Sequence, residues 1–340
     1  MASSFKTLTP NDRTATKTLL HEAIPLTGTL VSGTYADENI KTYSHGMFTS
    51  VYDYPYLSSS ANHIFDVTAG YSADSELSGT ANVTQQQKKI NIYNQMAQVL
   101  VGFDSTGSVN KFDEDGNLAA GGAELDSCIF INFSRLLTKD EIQKQTFSIS
   151  LKISGSYTTP TEVVSFSDAG AATDYKINSP AGEYGILYRN GTATADNRRG
   201  LIFYQAGVAV LTSSIFDKDA VFDADGRTCS GSLTGSTLNT FAAGLRRRWH
   251  DCSFNNTTEL NSTIYFCRAL NGDFNYSANP TYLTQSQVFV KEQQEDLPAS
   301  YFTTVGLYSS DNELLAVAKL SEPIKKTPAN EVTLRVRLDY

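Results

Sequence analysis

Three stretches of this 340-residue chain hold residue types that can do chemistry at close spacing. The first is Asp113-Glu114-Asp115-Gly116-Asn117 with Glu124. Oxygen-bearing side chains at the first, third, fifth and twelfth positions are what a calcium loop uses. Its sixth position is Leu118, where such a loop takes glycine, and no flanking helix pair is readable. The expectation is therefore an acidic surface turn. The second stretch offers Asp217, Asp219, Asp223 and Asp225 within "FDKDAVFDADGR". Paired acids serve general acid–base chemistry or glycoside hydrolysis when a cleft holds two of them at a set distance. Nothing in this spacing fixes such a pair, so a solvated loop is expected.

The third stretch is Arg246-Arg247-Arg248-Trp249-His250, which contains the sole tryptophan. A cation–aromatic cluster can grip an acidic partner or a phosphate. The alternative is a strand whose residues pair with nearby acids such as Asp251. Arg246, Arg247, Arg248 and Trp249 are candidate interface residues on this reading. Elsewhere the chemistry is thin. His21, His45, His63 and His250 are scattered, and Cys128, Cys229, Cys252 and Cys267 form neither a C-x-x-C pair nor a metal spacing with them. The sequence has no G-x-S-x-G elbow, glycine-rich phosphate loop or H-E-x-x-H. No catalytic, metal-binding or cofactor-binding residue is assigned, and the chain is not expected to be an enzyme.

Charge narrows the partners. The net charge is −9, and residues 101–150 and 251–300 carry the excess. A diffuse acidic surface argues against nucleic acid, whose phosphates need lysine and arginine. No stretch nears the roughly 18 apolar residues that a membrane span needs. No signal peptide is readable at the start, so synthesis in a cytosol and reduced thiols are expected. The N-x-S/T triplets, at Asn82, Asn132, Asn190, Asn255, Asn256, Asn261 and Asn275, are then by-products of a Ser/Thr/Asn-rich composition.

The elements that would position these residues are mostly strands. Phe147, Ile149, Leu151 and Ile153 alternate with polar residues, as do Val332, Leu334, Val336 and Leu338. Residues 200–205 and 208–212 flank Ala206-Gly207 as a hairpin, and 262–269 and 285–291 read as further strands. Tyr301 to Tyr308, Glu313 to Leu320 and Val332 to Leu338 read as a C-terminal meander. The best helix follows Thr84 as N-cap, with Ile92, Met96, Val99 and Leu100 on one face. Thr138 and Glu141 suggest a capping box for a second helix over 139–145. Residues 35–65 read as an extended arm whose rings, Tyr52, Tyr54 and Tyr56 among them, are candidate interface anchors. The expected fold is mainly β (α+β): antiparallel, β-sandwich-like sheets with a few short helices in the N-terminal part. Residues 1–145 would form a mixed N-terminal region, and 146–340 an antiparallel β domain.

Several stretches carry a family resemblance. They include "VYDYPYLSSSANHIFDVTAGYS", "KKINIYNQMAQVLVGFD", "NSPAGEYGILY", "GLIFYQAGVAVLTSSIF" and the run from "ELNSTIYFCRALNGDFNYSANPTYL" to "TLRVRLDY". Together, over Ser4 to Tyr340, they resemble virion structural proteins of contractile-tailed bacteriophages, of the marine and cyanobacterial type. The most specific part is Asp273 to Thr281, with Asp273 where the family pattern has Glu. The resemblance implies a particle component, most simply of the tail baseplate or a fibre junction. Its partners would be other virion proteins and copies of itself. It implies no catalytic residue. A capsid decoration or neck component is the alternative within the particle. A module binding host-surface carbohydrate is the alternative of another class.

Overall fold

The computed structural model describes residues 5–26, 38–79, 83–118, 123–275, 283–284, 287–288 and 298–340. The first strands are β1 (Arg13–Leu26), β2 (Ile40–Lys41), β3 (Thr49–Tyr52), β4 (His63–Tyr71), β5 (Ser127–Phe133), β6 (Glu141–Ile142), β7 (Ser148–Gly155) and β8 (Pro160–Ser167). They are followed by β9 (Tyr184–Arg189), β10 (Arg198–Phe203), β11 (Val208–Thr212), β12 (Trp249–Ala269), β13 (Leu283–Thr284), β14 (Gln287–Val288), β15 (Ser300–Tyr308), β16 (Leu314–Lys326) and β17 (Val332–Asp339). The helices are α1 (Val83–Leu100), α2 (Arg135–Thr138), α3 (Cys229–Gly235) and α4 (Leu238–Arg248).

The fold is mainly β and antiparallel, as the sequence predicts. In the large sheet the neighbours run β1, β12, β7, β8, β9, β10, β11, β5, β4, β3, β2, and β6 and β17 also pair with β12. Two compact units divide the chain: a smaller one of Met1–Leu19 with Glu259–Tyr340, and a larger one of Leu20–Thr258. The boundary expected near residue 145 falls inside the larger unit. The reason is physical: Phe133 at the end of β5 packs on Phe147 and Phe254, at ring separations of 5.8 and 5.3 Å, so both sides of that boundary share one core.

In the larger unit the sheet has two buried faces. Along β5, Cys128 and Phe130 join a core with Ile92, Tyr93 and Leu100 of α1, while Ile129, Ile131 and Phe133 join a second core with Leu233 of α3 and Phe241 of α4. Leu201/Phe203 against Ile202, and Val208/Val210 against Ala209/Leu211, divide the same way. Successive side chains of a strand point to opposite faces, so helices cover both sides here. The sheet also curls until distant strands meet: Phe65 of β4 stacks on Trp249 of β12 at 4.4 Å.

The helix α1 presses onto β4 at Gly70. A Cβ built on Gly70 would clash with the Lys89 carbonyl oxygen and sit 2.8 Å from the Tyr93 amide nitrogen. Both are backbone atoms, so relief requires moving the helix. Gly70→Ala is expected to destabilise the larger unit by about 3 kcal/mol. Urea unfolding checks this, and an unchanged midpoint would mean that α1 does not lie against β4.

Four local expectations change. Residues 139–145 are not a helix: Lys139 takes a left-handed φ of 53° after α2, and Ile142, fully buried, enters β6 to pair with β12. On α1 the buried stripe is Lys89, Ile92, Tyr93, Ala97 and Leu100, whereas Val99 is 67% exposed. The expected cap at Thr84 concerns a side chain outside the described residues. Residues 38–65 are no extended arm. They supply β2, β3 and the start of β4, with Ile40, Val51 and Phe65 in the interior. Finally, α3 and α4 lie in the rear part, where strands alone were expected.

The smaller unit contains residues 259–269 of β12, paired over 262–269 with β17, and the β15–β16 hairpin. The C-terminal strands are where the sequence puts them, but they do not form a meander. β15 pairs β16, whereas β17 pairs β12. Val332, Leu334, Val336 and Leu338 do face the covered side, with Thr333, Arg335 and Arg337 exposed. Of the expected strand 285–291, residues 287–288 form β14 and the others lie outside the described residues.

Candidate functional site

Each acidic candidate is engaged by its own loop. Asp113 is buried, and its Oδ2 accepts from the amides of Asn117 and Leu118, both at 3.2 Å. Burial pushes its carboxyl up. The hydrogen bond to Asp113, with the Asn117 amide, holds the Asp115 carboxyl low. Leu118 bends the chain with φ 56° although it is not glycine. Glu124, the last would-be calcium ligand, instead meets Lys111 Nζ at 2.7 Å. That ammonium also lies 3.1 Å from Asp74 and 3.7 Å from Asp126, so the local cation is a side chain of the protein. Among the described residues no group of three or more His, Cys, Asp or Glu is placed to hold a metal ion.

The second acidic stretch is a turn built on Asp223. Its buried carboxylate accepts from the amides of Asp225 and Arg227, each at 3.0 Å, and from the Ser236 hydroxyl at 2.7 Å. Burial pushes this carboxyl up, but the hydrogen bonds from Ser236 and Arg227 outweigh it and leave it below its ordinary value. Asp225 pairs with Arg227, and Asp217 accepts from the Asp219 amide at 3.1 Å. No two of these acids face each other across a reacting position.

The arginine cluster turns inward, against expectation. Arg246, Arg247 and Arg248 form the last turn of α4, where cations complement the helix dipole. Arg248 is 1% exposed. Its guanidinium donates to the carbonyls of Lys152, Ser154, Gly155 and Val221 at 3.0–3.1 Å and lies beside the Phe216 and Phe222 rings, which pack edge-on to each other. Arg246 is buried with Nε on Asn39 Oδ1 at 2.8 Å, and Arg247 stacks over Tyr157 at 4.4 Å. Trp249 is buried against Phe65. Arg246, Arg248 and Trp249 are thus consumed by the fold and offer no surface to a partner. Arg247, half-buried, keeps part of its edge outside.

The tyrosines are placed differently. Tyr54 and Tyr56 are 40% and 38% exposed, and Leu57 beside them is 86% exposed. Tyr52 packs edge-on to His63 at 5.6 Å and leans on Tyr56 at 6.5 Å. These rings form a partly open aromatic rim at the connection between β3 and β4.

Two features escape the sequence reading. Lys89 is fully buried, and its ammonium donates to the carbonyls of Ser232, Leu233 and Ser236 at the C-terminal end of α3. Burial, with Arg227 nearby, pulls its pKa down to about 8. The signal was a lysine on the apolar stripe of α1. The other feature is the run Leu314, Leu315, Val317, which stays exposed on β16. Its sequence, "LLAVA", lacks polar alternation, which marks a strand with apolar residues on both faces.

No helix among the described residues is long and apolar enough to cross a membrane. All four cysteines are free thiols, three of them buried. Compared with known proteins, the chain matches no family model, no curated sequence and no solved structure.

Proposed function

We propose that this chain is a non-enzymatic structural component of a tailed-bacteriophage particle, acting through protein–protein contact in the tail baseplate or at a fibre junction. The observation that carries this reading is the composition of the smaller unit. Among the described residues, both hydrophobic core clusters lie wholly within the larger unit. In the smaller one the buried apolar residues are Ala269, Ala299, Leu307 and Val336 among the described residues. Its exposed large apolar residues include Leu260, Tyr301, Tyr308, Leu314, Leu315, Val317 and Tyr340. A sheet whose described residues bury so little is completed by a neighbour. The resemblance to virion proteins supplies the kind of neighbour.

The test is the protein inventory of purified particles. A component of baseplate, neck or fibre junction is expected at about six to a few dozen copies per particle. Copies on the order of hundreds would move the chain to the capsid or sheath. Its absence from particles would sink the reading. The rim of Tyr54 and Tyr56 favours a second reading, carbohydrate binding, because exposed rings stack on sugar faces. Glycan binding lost on Tyr54→Ala and Tyr56→Ala would support it.

A further inference from the structure

The side chain of Lys89 leaves α1 and ends among the carbonyls of α3. Its ammonium donates to the Ser232 oxygen at 3.2 Å, to the Ser236 oxygen at 2.8 Å and to the Leu233 oxygen, and the residue is 1% exposed. Among the described residues all three bonds go to main-chain oxygens. The charged groups that act on this ammonium are Arg227, of like sign, and Asp223. Asp223 is already engaged by the Ser236 hydroxyl and by the amides of Asp225 and Arg227. The other titratable groups on the packed elements are the buried Cys229 thiol of α3, Tyr71 of β4, and Lys88 and Tyr93 of α1.

A buried ammonium without a carboxylate of its own is drawn towards water. Two helices hold it there, and they differ in how firmly they are seated. The helix α1 has 18 residues and presses on β4 at Gly70. The helix α3 has seven residues, two of them glycine, and seats only Cys229, Ser232 and Leu233 in the interior. We infer that α3 is a proton-operated gate, which opens from α1 as a local unit when Lys89 is protonated and closes on the neutral amine. In the closed state burial, with Arg227 nearby, holds the Lys89 pKa at about 8 instead of 10.5. In the open state the ammonium meets water and regains its ordinary value. Between those values the open state holds more protons, so opening is easiest below pH 8 and grows harder as the pH rises. Lys89 alone lowers the open fraction about tenfold from pH 7 to 9. The Cys229 thiol, which burial raises, is freed by the same opening and returns about a factor of two at pH 9.

The gate belongs to the larger unit and holds whatever the chain assembles with. Hydrogen exchange of the folded, full-length chain at pH 7, 8 and 9, corrected for intrinsic rates, tests it. The reporters are the amides of Ser232 and Ser236, which close the turns of α3 on the oxygens of Thr228 and Ser232 at 2.8 and 3.1 Å. They are expected to exchange faster than the amides of β5, and their protection to rise about fivefold from pH 7 to 9. Protection in β5 should stay nearly level, because global unfolding frees the thiols of Cys128, Cys229 and Cys252 together. Lys89→Met has no ammonium to hydrate, so its α3 amides should show no rise and fall about twofold through Cys229. Amides of α3 that exchange no faster than those of β5, protection that does not rise, or a rise that persists in Lys89→Met would overturn the gate. The wild-type comparison decides by itself if Lys89→Met does not fold.

Discussion

Arg248→Ala is expected to destabilise the larger unit by about 3–5 kcal/mol, a large share of the roughly 5–15 kcal/mol that holds a domain together. The guanidinium packs beside Phe216 and Phe222 and donates to four carbonyl oxygens. Alanine empties the space beside the rings and removes the guanidinium donor from the carbonyls of Lys152, Ser154, Gly155 and Val221. Arg248→Met separates the two contributions. Methionine keeps an apolar stem beside the rings, so its remaining deficit reports the lost hydrogen bonds to the carbonyls. A melting temperature lower by about 10 °C or more is the expected reading for alanine. Had Arg248 served a partner, as the sequence suggested, the isolated chain would melt normally and only assembly would suffer. Thermal melts of the purified variants decide between the two roles.

Strands with one wet face were easy to read. The alternation in β7 and β17 is the direct imprint of burial on one side, and both strands lie where it predicts. Strands β5, β9, β10 and β11 are covered on both faces, so runs such as Ser127–Phe133 carry little alternation. The sequence therefore could not announce two layers of helices. Pairing partners were also hidden. Neighbours in sequence suggested a meander, but β17 joins β12 because Tyr265 and Cys267 offer Val336 and Leu334 an apolar face to share.

The arginine cluster misled for a different reason. A run of cations reads as surface because burying charge is costly. Here α4 ends against the edge of β7, whose terminal carbonyls need donors, and the planar fork of Arg248 supplies them. That need arises from the tertiary fold and leaves no trace in local spacing. In the acidic stretches the local chemistry was legible. Asp113 and Asp223 organise turns through amides two to five residues onward, as such turns do wherever they occur.

The protein is expected to rise slightly in stability to a maximum at about pH 8.5 and to lose stability steeply above pH 9. Lys89 accounts for the rise. Its pKa falls from 10.5 to about 8 in the fold, so above pH 8 the unfolded chain holds a proton that the folded chain has released. Stability then grows by about 1.4 kcal/mol per pH unit up to the unfolded value. The thiols of Cys128, Cys229 and Cys252 act in the opposite sense. Burial raises all three above their ordinary 9.0, so their stability is complete below pH 9 and is lost as the unfolded chain ionises. Together they remove about 4 kcal/mol per unit above pH 9. Burial likewise raises Tyr93, Tyr184 and Tyr204 above 10.0, and these add a similar slope beyond pH 10. Above pH 10 the thiols and phenols together outweigh the gain from Lys89. Denaturant melts from pH 7 to 10.5, under reductant, measure the curve. Cys128→Ala, Cys229→Ala and Cys252→Ala combined should flatten the slope between pH 9 and 10 whatever they do to the baseline. Lys89→Met should leave a fall between pH 8 and 9, where the wild type stays nearly level. A slope above pH 9 that ignores the cysteine substitutions would mean that these thiols are open to water in the folded protein.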